Sequence, residues 1–300
     1  MPQIPFETLT YFLKDSILTA KEKRQEAEKK RLDDKKYPKY PSWEAVEAEI
    51  EEPKPAVYLE IRDSEGDIVN RVEGSTKKGL HRVTWGMDFA ASMPLADSKG
   101  RGRGLPALPG NYSATLFKRE GAVVTQLAEP VDFVLESIYT GALEGPSADE
   151  IAAFTANIER VQKQAMTASA VLKQLNETMT LLRVAIDRTP SDIAALETSY
   201  ASIDQALDAI NNTLFGLESR QRKGATPATI MSRLGYARSA LRSTYGPTQQ
   251  HKEQLNFASE SLTEISEQIK TLQTSTVPAL QQAVVKQGGP WTAGLPVITK

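Results

Sequence analysis

The sequence predicts an α+β protein of two domains, an antiparallel β-sandwich of the immunoglobulin type with a helical insertion, followed by an elongated antiparallel helical bundle. Apolar and polar residues alternate with period two through much of the first 140 residues, whereas steps of three and four take over from Ile151. Because chains beyond roughly 250–300 residues usually divide into domains of about 50–200 residues, a chain of this length suits two domains. We place the sandwich at 1–140, the bundle at 146–287 and a docking tail at 288–300.

The first strand is interrupted by a charged insertion at about 14–54. Residues Thr8–Leu13 are rich in β-formers and predict a strand. The following segment, 14–36, mixes Lys, Glu, Arg and Asp with little apolar content, which is typical of a solvated helix held by local ion pairs. The prolines of Tyr37–Pro41 end this helix, and Ser42 is placed to cap a second one. We expect a helical hairpin inserted between two strands.

The basic residues of this insertion raise a second hypothesis, a contact with RNA or lipid. Acidic residues interleave with them at Glu22, Glu26 and Glu28, so a solvated helical face is the favoured interpretation. The basic residues concerned are Lys21, Lys23, Arg24, Lys29, Lys30 and Arg31.

Alternation is clearest after the insertion. Val57, Leu59 and Ile61 fall on one face of a predicted strand, and Tyr58, Glu60 and Arg62 fall on the other. Asp63–Gly66 predicts the turn of a hairpin whose second arm is Ile68–Val72.

The remaining strands complete a set of about seven. A strand between 79 and 87 is expected to point Val83 and Trp85 inward, and the glycines and prolines of 90–110 predict a long loop. Further strands are expected at 112–116, 122–127 and 131–135. Seven short strands at this spacing predict the sandwich.

The carboxyl half shows uninterrupted helical periodicity. At 1.5 Å per residue the first and last helices each span about 60 Å, and the two shorter middle helices together span a similar length. We therefore favour an elongated antiparallel bundle, with a compact four-helix arrangement as the alternative. The apolar seam of the first helix consists of Ile151, Phe154, Ile158, Val161, Ala165, Ala168, Leu172, Leu175, Met179, Leu182 and Ile186. This seam could also pair between copies of the chain.

Helix boundaries follow from capping chemistry. Ser147 and Glu150 form a predicted capping box. Thr189-Pro190 and Thr226-Pro227 each predict an N-cap before a proline at the first helical position. Gly246-Pro247 separates the third helix from the last, which is expected to run to about Lys286.

Composition argues against nucleic-acid binding, cysteine chemistry and membrane insertion. A net charge of -2 and a pI near 5.9 supply no positive field for nucleic acid. The chain has no cysteine, which excludes disulfides, thiolate metal sites and thiol nucleophiles. No apolar stretch is long enough for a transmembrane helix, and the residues after Met1 do not form a signal peptide. We expect no membrane insertion.

The sequence contains no predicted catalytic, cofactor-binding or metal-ligating residue. The two histidines, His81 and His251, fall in unrelated patterns, so a shared metal site or dyad is not expected. The carboxylates that could serve glycoside cleavage are predicted instead to stabilise turns. They are Asp63, Glu65, Asp67 and Asp88.

Three further segments contain residues that could form sites. Arg101–Gly104 could hold an anion but lacks the strand and helix of a phosphate loop, so a flexible tip is favoured. Arg233, on the helix after Thr226, is expected to form a salt bridge. Trp291, Leu295 and Val297 are expected to dock the tail on the bundle or the sandwich.

The order of several motifs resembles the region that follows the propeller in bacterial sortilin-like proteins, often described as BNR-repeat or VPS10-like glycosyl hydrolases. The strand Gly79–Trp85 followed by Leu108-Pro109-Gly110-Asn-Tyr112 also resembles the small sandwich repeat of flagellar-hook-capping proteins. The other segments concerned are Ile4–Lys14, Tyr40–Trp43, Val57–Asp63, Thr226-Pro227, Gly246–Thr248 and Gly289–Thr292. The chain departs from the pattern in reading Trp85-Gly-Met-Asp88, where Trp-Asp-Leu is expected.

The resemblance implies a function as well as a fold. It implies a non-catalytic structural or protein-interaction module, the carboxyl-terminal stalk or docking region of a larger exported β-propeller protein. The partner would be that amino-terminal propeller or another protein, and the location would be periplasmic or secreted. The alternative is a glycan-acting hydrolase or a carbohydrate-binding accessory module. The Asp-box motif of such propellers is absent, so a propeller site would lie outside this chain.

Overall fold

The structure, a computed structural model, describes residues 7–38, 40–91, 104–136, 145–216, 227–243 and 245–294. These residues divide into two compact units. The first contains the described residues from 7 to 136, and the second contains those from 145 to 294. Antiparallel strands dominate the first unit and helices dominate the second, so the predicted α+β class is confirmed.

The first unit contains seven described strands that form two antiparallel sheets. Strand β1 pairs with β4 in a two-stranded sheet, and the larger sheet has the order β3-β2-β5, with β6 and β7 pairing successive parts of the same edge of β5. The strands are β1 (Glu7–Leu13), β2 (Ala56–Asp63), β3 (Ile68–Gly74), β4 (Gly79–Trp85), β5 (Gly110–Glu120), β6 (Val123–Gln126) and β7 (Val131–Leu135).

The two sheets share a core. Leu9 packs against both of its apolar clusters, and Trp85 places its ring 5.7 Å from that of Tyr112 and 6.1 Å from that of Phe133. Val83 and Trp85 are both buried, which confirms their predicted inward orientation. Close packing favours glycine at position 74, because a Cβ there would lie 2.5 Å from the Tyr11 hydroxyl, which donates to the carbonyl of Ser75.

The insertion forms two helices, α1 (Ala20–Asp33) and α2 (Trp43–Glu51), in the order predicted. Thr19 caps α1, and the Ser42 hydroxyl accepts the amide of Ala45 at the start of α2, which confirms Ser42 as the N-cap. Neither helix has a buried residue. The Arg24 guanidinium joins them by donating to Glu28 on α1 and Glu49 on α2.

The second unit contains five described α-helices. They are α3 (Ala148–Asp187), α4 (Ala194–Phe215), α5 (Ile230–Ser239), α6 (Gln249–Thr271) and α7 (Val277–Lys286). A short 3-10 turn (Ala240–Arg242) follows α5, and a π-helical turn (Leu272–Thr276) joins α6 to α7. The helix α3 contacts α4, α5, α6 and α7, and its whole predicted seam is buried except for Ile151, which is half-buried.

Contacts at the two ends of α3 define the direction of its neighbours. Glu150 at the start of α3 pairs with Lys252 at the start of α6 at 2.6 Å, and the Ser191 hydroxyl, just after α3, donates to the carbonyl of Gln287, just after α7. The α6–α7 rod therefore runs in the same direction as α3. Arg183 near the end of α3 pairs with Glu197 near the start of α4, so α4 runs back along α3.

Two predicted helix starts are wrong. Thr189 does not cap α4, because its hydroxyl donates backward to the carbonyl of Ala185, and α4 begins five residues later with Ile193 as its N-cap. The helix α5 begins at Ile230 with Thr229 as its cap, so Pro227 is not its first residue, and Thr226 lies outside the described residues. The predicted end near Lys286 and the break at Gly246-Pro247 are confirmed.

Candidate functional site

The most distinctive polar group of the first unit is Glu60 on β2. The alternation placed it on the face of β2 opposite Val57 and Leu59, and it is only 3% exposed. Its two carboxylate oxygens accept from Arg62 at 2.6 Å and from Arg71 at 2.7 Å. The Arg71 guanidinium also lies 5.7 Å from the centroid of the Tyr58 ring. Two arginine side chains and an aromatic neighbour therefore cover this carboxylate.

The protonation of Glu60 depends on opposing effects. Burial raises its pKa, but the hydrogen bonds from Arg71 and Arg62 favour the charged form more strongly, so the pKa lies below its ordinary value. Glu60 is therefore a charged structural carboxylate at neutral pH, and both of its oxygens are already occupied by arginines.

The carboxylates considered for glycoside cleavage are distributed over turns, as predicted. Asp63 accepts the backbone amides of Glu65 and Asp67 through one oxygen, which is the hydrogen-bonding pattern of a turn. Asp88 stands at a loop where its backbone carbonyl accepts from the Trp85 indole and the Asn70 amide, and its carboxylate also contacts Asn70. Asp63 and Asp88 thus hold local backbone in place.

Each histidine is engaged within its own unit. His81 donates to the carbonyl of Lys77, and its ring lies 5.2 Å from that of Tyr11. His251 belongs to the capping box of α6: its Nδ1 contacts Thr248, and its ring stacks at 4.8 Å on Tyr236. The two belong to separate compact units, and each has a packing role that the spacing did not reveal.

A groove lies on the helical unit, with a volume of about 340 Å³. Phe215 at the end of α4 forms its apolar wall, and amide, hydroxyl and charged side chains supply the remainder. The lining residues are Ser169, Leu172, Lys173, Asn176, Glu177, Thr180, Asn211 and Phe215. Residue spacing did not predict this groove, because most of its lining residues lie outside the apolar seams and come from two different helices.

The most exposed aromatic residues of the described chain are close in sequence, two in the segment between α1 and α2 and one at the first residue of α2. Tyr37 is 92% exposed, Tyr40 is 91% exposed and Trp43 is 83% exposed. Soluble proteins seldom leave several large aromatic rings in water side by side, and such a group is typical of an interaction surface. We call Tyr37, Tyr40 and Trp43 the aromatic tip, and α1 with α2 the arm.

The other segments considered as sites have different outcomes. Arg101–Arg103 lie outside the described residues, and Gly104 packs closely on the backbone of Phe89. Among the described residues Arg233 has no ion pair; its guanidinium donates to Gln254 and lies 5.1 Å from the Phe257 ring centroid. The basic residues of α1 form ion pairs at Arg24 and Lys23, in agreement with a solvated helix.

The tail docks on the helical unit as far as it is described. The Gln281 amide on α7 donates to the Thr292 hydroxyl at 3.0 Å and to the carbonyl of Ala293 at 2.9 Å. Trp291 remains half exposed, so a buried polar pair and not the indole holds this segment. Leu295 and Val297 lie outside the described residues.

Within the described ranges, no group of three or more His, Cys, Asp or Glu residues is arranged to hold a metal ion. No helix in that part of the chain has both the length and the apolar character needed to cross a bilayer. Comparison of the chain with protein-family models, with curated proteins and with solved structures found no match.

Proposed function

We propose that this chain is a non-catalytic structural and protein-interaction module, the carboxyl-terminal stalk or docking region of a larger exported β-propeller protein of the sortilin-like type. The observation that carries the interaction role is the aromatic tip, which the arm presents to solvent. The arm has a polar stem with no buried residue, whereas its three tip rings are more than 80% exposed. Tyr and Trp are the residue types most enriched at interface hot spots.

The finer architecture belongs to the same proposal. We infer an immunoglobulin-like sandwich for the first unit, and its support is the shared core of the two antiparallel sheets. For the second unit we infer an elongated bundle of three rods, α3, then α4 with α5, then α6 with α7. Its support is the pairing of Glu150 with Lys252 at one end and of Ser191 with Gln287 at the other.

The larger protein is tested by reading the genome and by locating the product. We expect the reading frame upstream of Met1 to continue into propeller-coding sequence, and we expect an antibody against the module to detect it in the periplasmic or secreted fraction. A stop codon immediately upstream with its own promoter would remove the stalk hypothesis. Recovery of the protein only from the cytoplasm would contradict export.

A carbohydrate-binding accessory role is the second candidate, and the groove beside Phe215 favours it. An exposed ring beside Asn176 and Asn211 offers a stacking surface with amide hydrogen-bonding groups. A defined oligosaccharide array followed by calorimetry would detect binding, and Phe215→Ala should abolish it while Phe257→Ala, another exposed ring, should not. The alternative also includes a glycan hydrolase, which a panel of chromogenic glycosides would test. If the purified chain cleaved one of these substrates and Asp88→Asn lost that activity, the non-catalytic proposal would be overturned.

A further inference from the structure

The net charge of the arm differs between its two ends. The tip end, 29–44, contains six basic residues and three acidic ones, which gives it a net charge of +3. The rest of the arm, 20–28 and 45–52, contains three basic residues and seven acidic ones, which gives it a net charge of -4. Because the whole chain has a net charge of -2, the positive charge of the tip end is a local feature. Its basic residues are Lys29, Lys30, Arg31, Lys35, Lys36 and Lys39.

We propose that the aromatic tip binds the surface of an anionic phospholipid bilayer, with its rings at the level of the headgroups and the neighbouring lysines beside the phosphates. This is a peripheral contact that requires no segment of the chain to cross the bilayer. The inference rests on the interaction role proposed above for the aromatic tip and assigns to that role a surface of defined chemistry.

The tip end has the residue types that anchor a protein at a bilayer surface. Tyr and Trp concentrate at the membrane–water interface, where the ring lies in an apolar layer and its polar atom stays wet. Leu32, in the last turn of α1, adds an aliphatic side chain that is 59% exposed. Interfacial binding grows with the apolar area that leaves water and with the attraction of basic residues to anionic lipids. The tip end supplies both contributions.

The arm separates the tip from its acidic base. That base is fixed where the Ala20 amide donates to Glu52 and where Lys23 pairs with Glu120 at the end of β5. From there α1 extends for 14 residues, which corresponds to about 21 Å at the rise of an α-helix. An arm that meets a bilayer end-on therefore keeps its acidic base more than a Debye length, about 10 Å in ~0.1 M salt, from the lipid.

The tip is also pre-organised for binding. Tyr37 and Tyr40 each precede a proline, and a residue in that position is restricted to extended conformations. The Arg31 side chain donates to the carbonyl of Tyr37 at 3.1 Å, and the Lys36 amide donates to the carbonyl of Arg31 at 2.8 Å. A segment that is already ordered loses less conformational entropy when it binds.

A bilayer matches this tip better than a folded protein or a nucleic acid does. The three rings come from separate positions of a turn, and a protein partner would need a well-packed pocket for each of them. A fluid lipid interface adapts to a convex shape and needs no such pockets. Single-stranded nucleic acid is usually held in a positively charged groove that follows the phosphates, whereas the tip is the end of a hairpin.

The helical seam does not offer a comparable surface. Leu175, Met179 and Leu182, the residues through which copies could have paired, are all buried within the chain. Self-association through that seam would require the helical unit to open.

The experiment is co-sedimentation of the whole chain with vesicles that contain phosphatidylcholine and phosphatidylglycerol, compared with vesicles of phosphatidylcholine alone. We expect the chain to bind the anionic vesicles at least about tenfold more tightly, since each basic residue near an anionic surface contributes about fivefold. Binding should weaken as the salt concentration rises, because salt screens exposed charges.

Two variants of the tip end should each weaken binding to the anionic vesicles. Lys35→Gln with Lys36→Gln should weaken it about 30-fold, at about fivefold for each lysine. Tyr40→Ala with Trp43→Ala should weaken it at least about tenfold, because two large rings no longer leave water. Circular dichroism should show an unchanged fold, since all four side chains are exposed.

Each variant has a matched control in the same compact unit. Lys77→Gln with Lys78→Gln removes two adjacent exposed lysines just before the arm, where the Lys78 amide donates to the Ser16 hydroxyl. Phe12→Ala with Leu80→Ala removes an exposed cross-strand pair from β1 and β4. Both controls should bind the anionic vesicles like the wild type.

Tryptophan fluorescence identifies the part of the chain that meets the lipid. Trp85 is 1% exposed, so Trp43 is the one exposed indole in a Trp291→Phe variant. Its emission should shift to shorter wavelength when anionic vesicles are added, because the indole leaves water. The same vesicles should cause no shift once Trp43→Phe is added to that variant.

Several results would overturn the proposal. They are a chain that does not bind anionic vesicles, equal binding to both kinds of vesicle, a tip variant that binds like the wild type, or a control pair that loses as much binding as its tip variant. Tip-dependent binding of a single-stranded oligonucleotide by a chain that does not bind vesicles would assign the tip to nucleic acid instead.

These outcomes are distinct from failure of the proposed larger protein. A chain that does not bind vesicles, but whose reading frame continues from a propeller, removes the lipid surface and keeps the stalk. A chain that binds vesicles through its tip, but has its own stop codon and promoter upstream, keeps the lipid surface and removes the stalk.

Discussion

Gln162 occupies a position on α3 that its chemistry does not suit. It is buried beside the seam residues Val161 and Ala165, and its side-chain oxygen has no hydrogen-bond partner among the described residues. A buried acceptor without a partner costs about 1–3 kcal/mol of stability. The apolar spacing predicted that Val161 and Ala165 belong to the buried seam, but it did not predict that Gln162, next to them, would also be buried.

We therefore expect Gln162→Met to raise the free energy of unfolding by about 1 kcal/mol, because it removes the unpaired acceptor and nearly preserves the volume. Urea denaturation followed by circular dichroism measures the change. Gln174→Met, at an exposed position of the same helix, should leave stability unchanged. A loss of stability in Gln162→Met would indicate that the amide has a polar partner.

Glu60 gives a residue-level prediction about pH. Its folded-state pKa is lowered, so its contribution to stability is present above the ordinary carboxyl pKa of 4.5 and is lost as the pH falls through the folded value. Glu60→Gln should cost about 2 kcal/mol at pH 7, since a hydrogen bond to a charged group is worth roughly that much.

The difference between wild type and Glu60→Gln should shrink as the pH falls below 4.5. Urea denaturation at a series of pH values measures it. Glu65→Gln, in the exposed turn nearby, is the control and should follow the wild type at every pH. A constant difference across the range would mean that Glu60 acts through packing alone.

At the scale of elements, the rod formed by α6 and α7 keeps its seam in register through a π-helical turn. Buried seam residues advance by threes and fours from Leu255 to Leu272, and the next one, Val277, comes five residues later. The π turn Leu272–Thr276 accommodates the additional residue, so Leu280 and Val284 remain on the buried face. The sequence analysis did not predict this turn, because the spacing of threes and fours ends at Leu272.

Deletion of Ser275 should convert this turn into regular α-helix, because the step from Leu272 to the following valine becomes four. We expect the variant to fold with a free energy of unfolding within about 1 kcal/mol of the wild type, in the range of tolerated core changes. Deletion of Glu260, at an exposed position of α6, should cost about 2 kcal/mol or more, since it rotates Leu262 and Ile265 off the buried face. Equal losses in the two deletions would contradict this account of the turn.

The arm is the element with the least packing. Neither α1 nor α2 buries a side chain, and isolated helices of their length are marginal in water. Amide hydrogen exchange should therefore be fast through α1 and slow through the centre of α3, where the seam is buried. Slow exchange in α1 at low protein concentration would require a packing partner for the arm within its own chain.

At the scale of the whole molecule, each compact unit has its own buried side chains. The first is built around Trp85 and Ile61, and the second is built around residues such as Ile158, Leu182 and Leu207. We expect fragments 1–140 and 145–300 to fold separately, because each contains its own core. Far-ultraviolet circular dichroism should show strand signal in the first and helix signal in the second, each with a cooperative thermal transition.

If one fragment lacked a cooperative transition while the whole chain showed one, the core of that fragment would depend on the other fragment. Two variants serve as controls within the whole chain. Trp85→Ala should destabilise the sheets by about 3–5 kcal/mol, and Leu182→Ala should destabilise the helices by about 2–5 kcal/mol, because both side chains are fully buried.

The sequence by itself determined the class of the fold, the number and order of strands, and the seam of α3. These properties depend on residue spacing along one element, and burial of a regular face requires that spacing in any packing. The turn role of Asp63 was equally local, because its carboxylate bonds amides two and four residues away.

Only the tertiary structure decided the features that depend on groups distant in the sequence. Glu60 is buried because Arg71, on another strand, closes over it, and Thr189 turns back to Ala185 while α4 starts later than its threonine–proline signal predicts. The groove at Phe215 and the exposure of the aromatic tip likewise depend on which surfaces remain uncovered after packing. Periodicity specifies which face of an element is apolar, but the neighbours that cover or expose a side chain are chosen only when the elements pack.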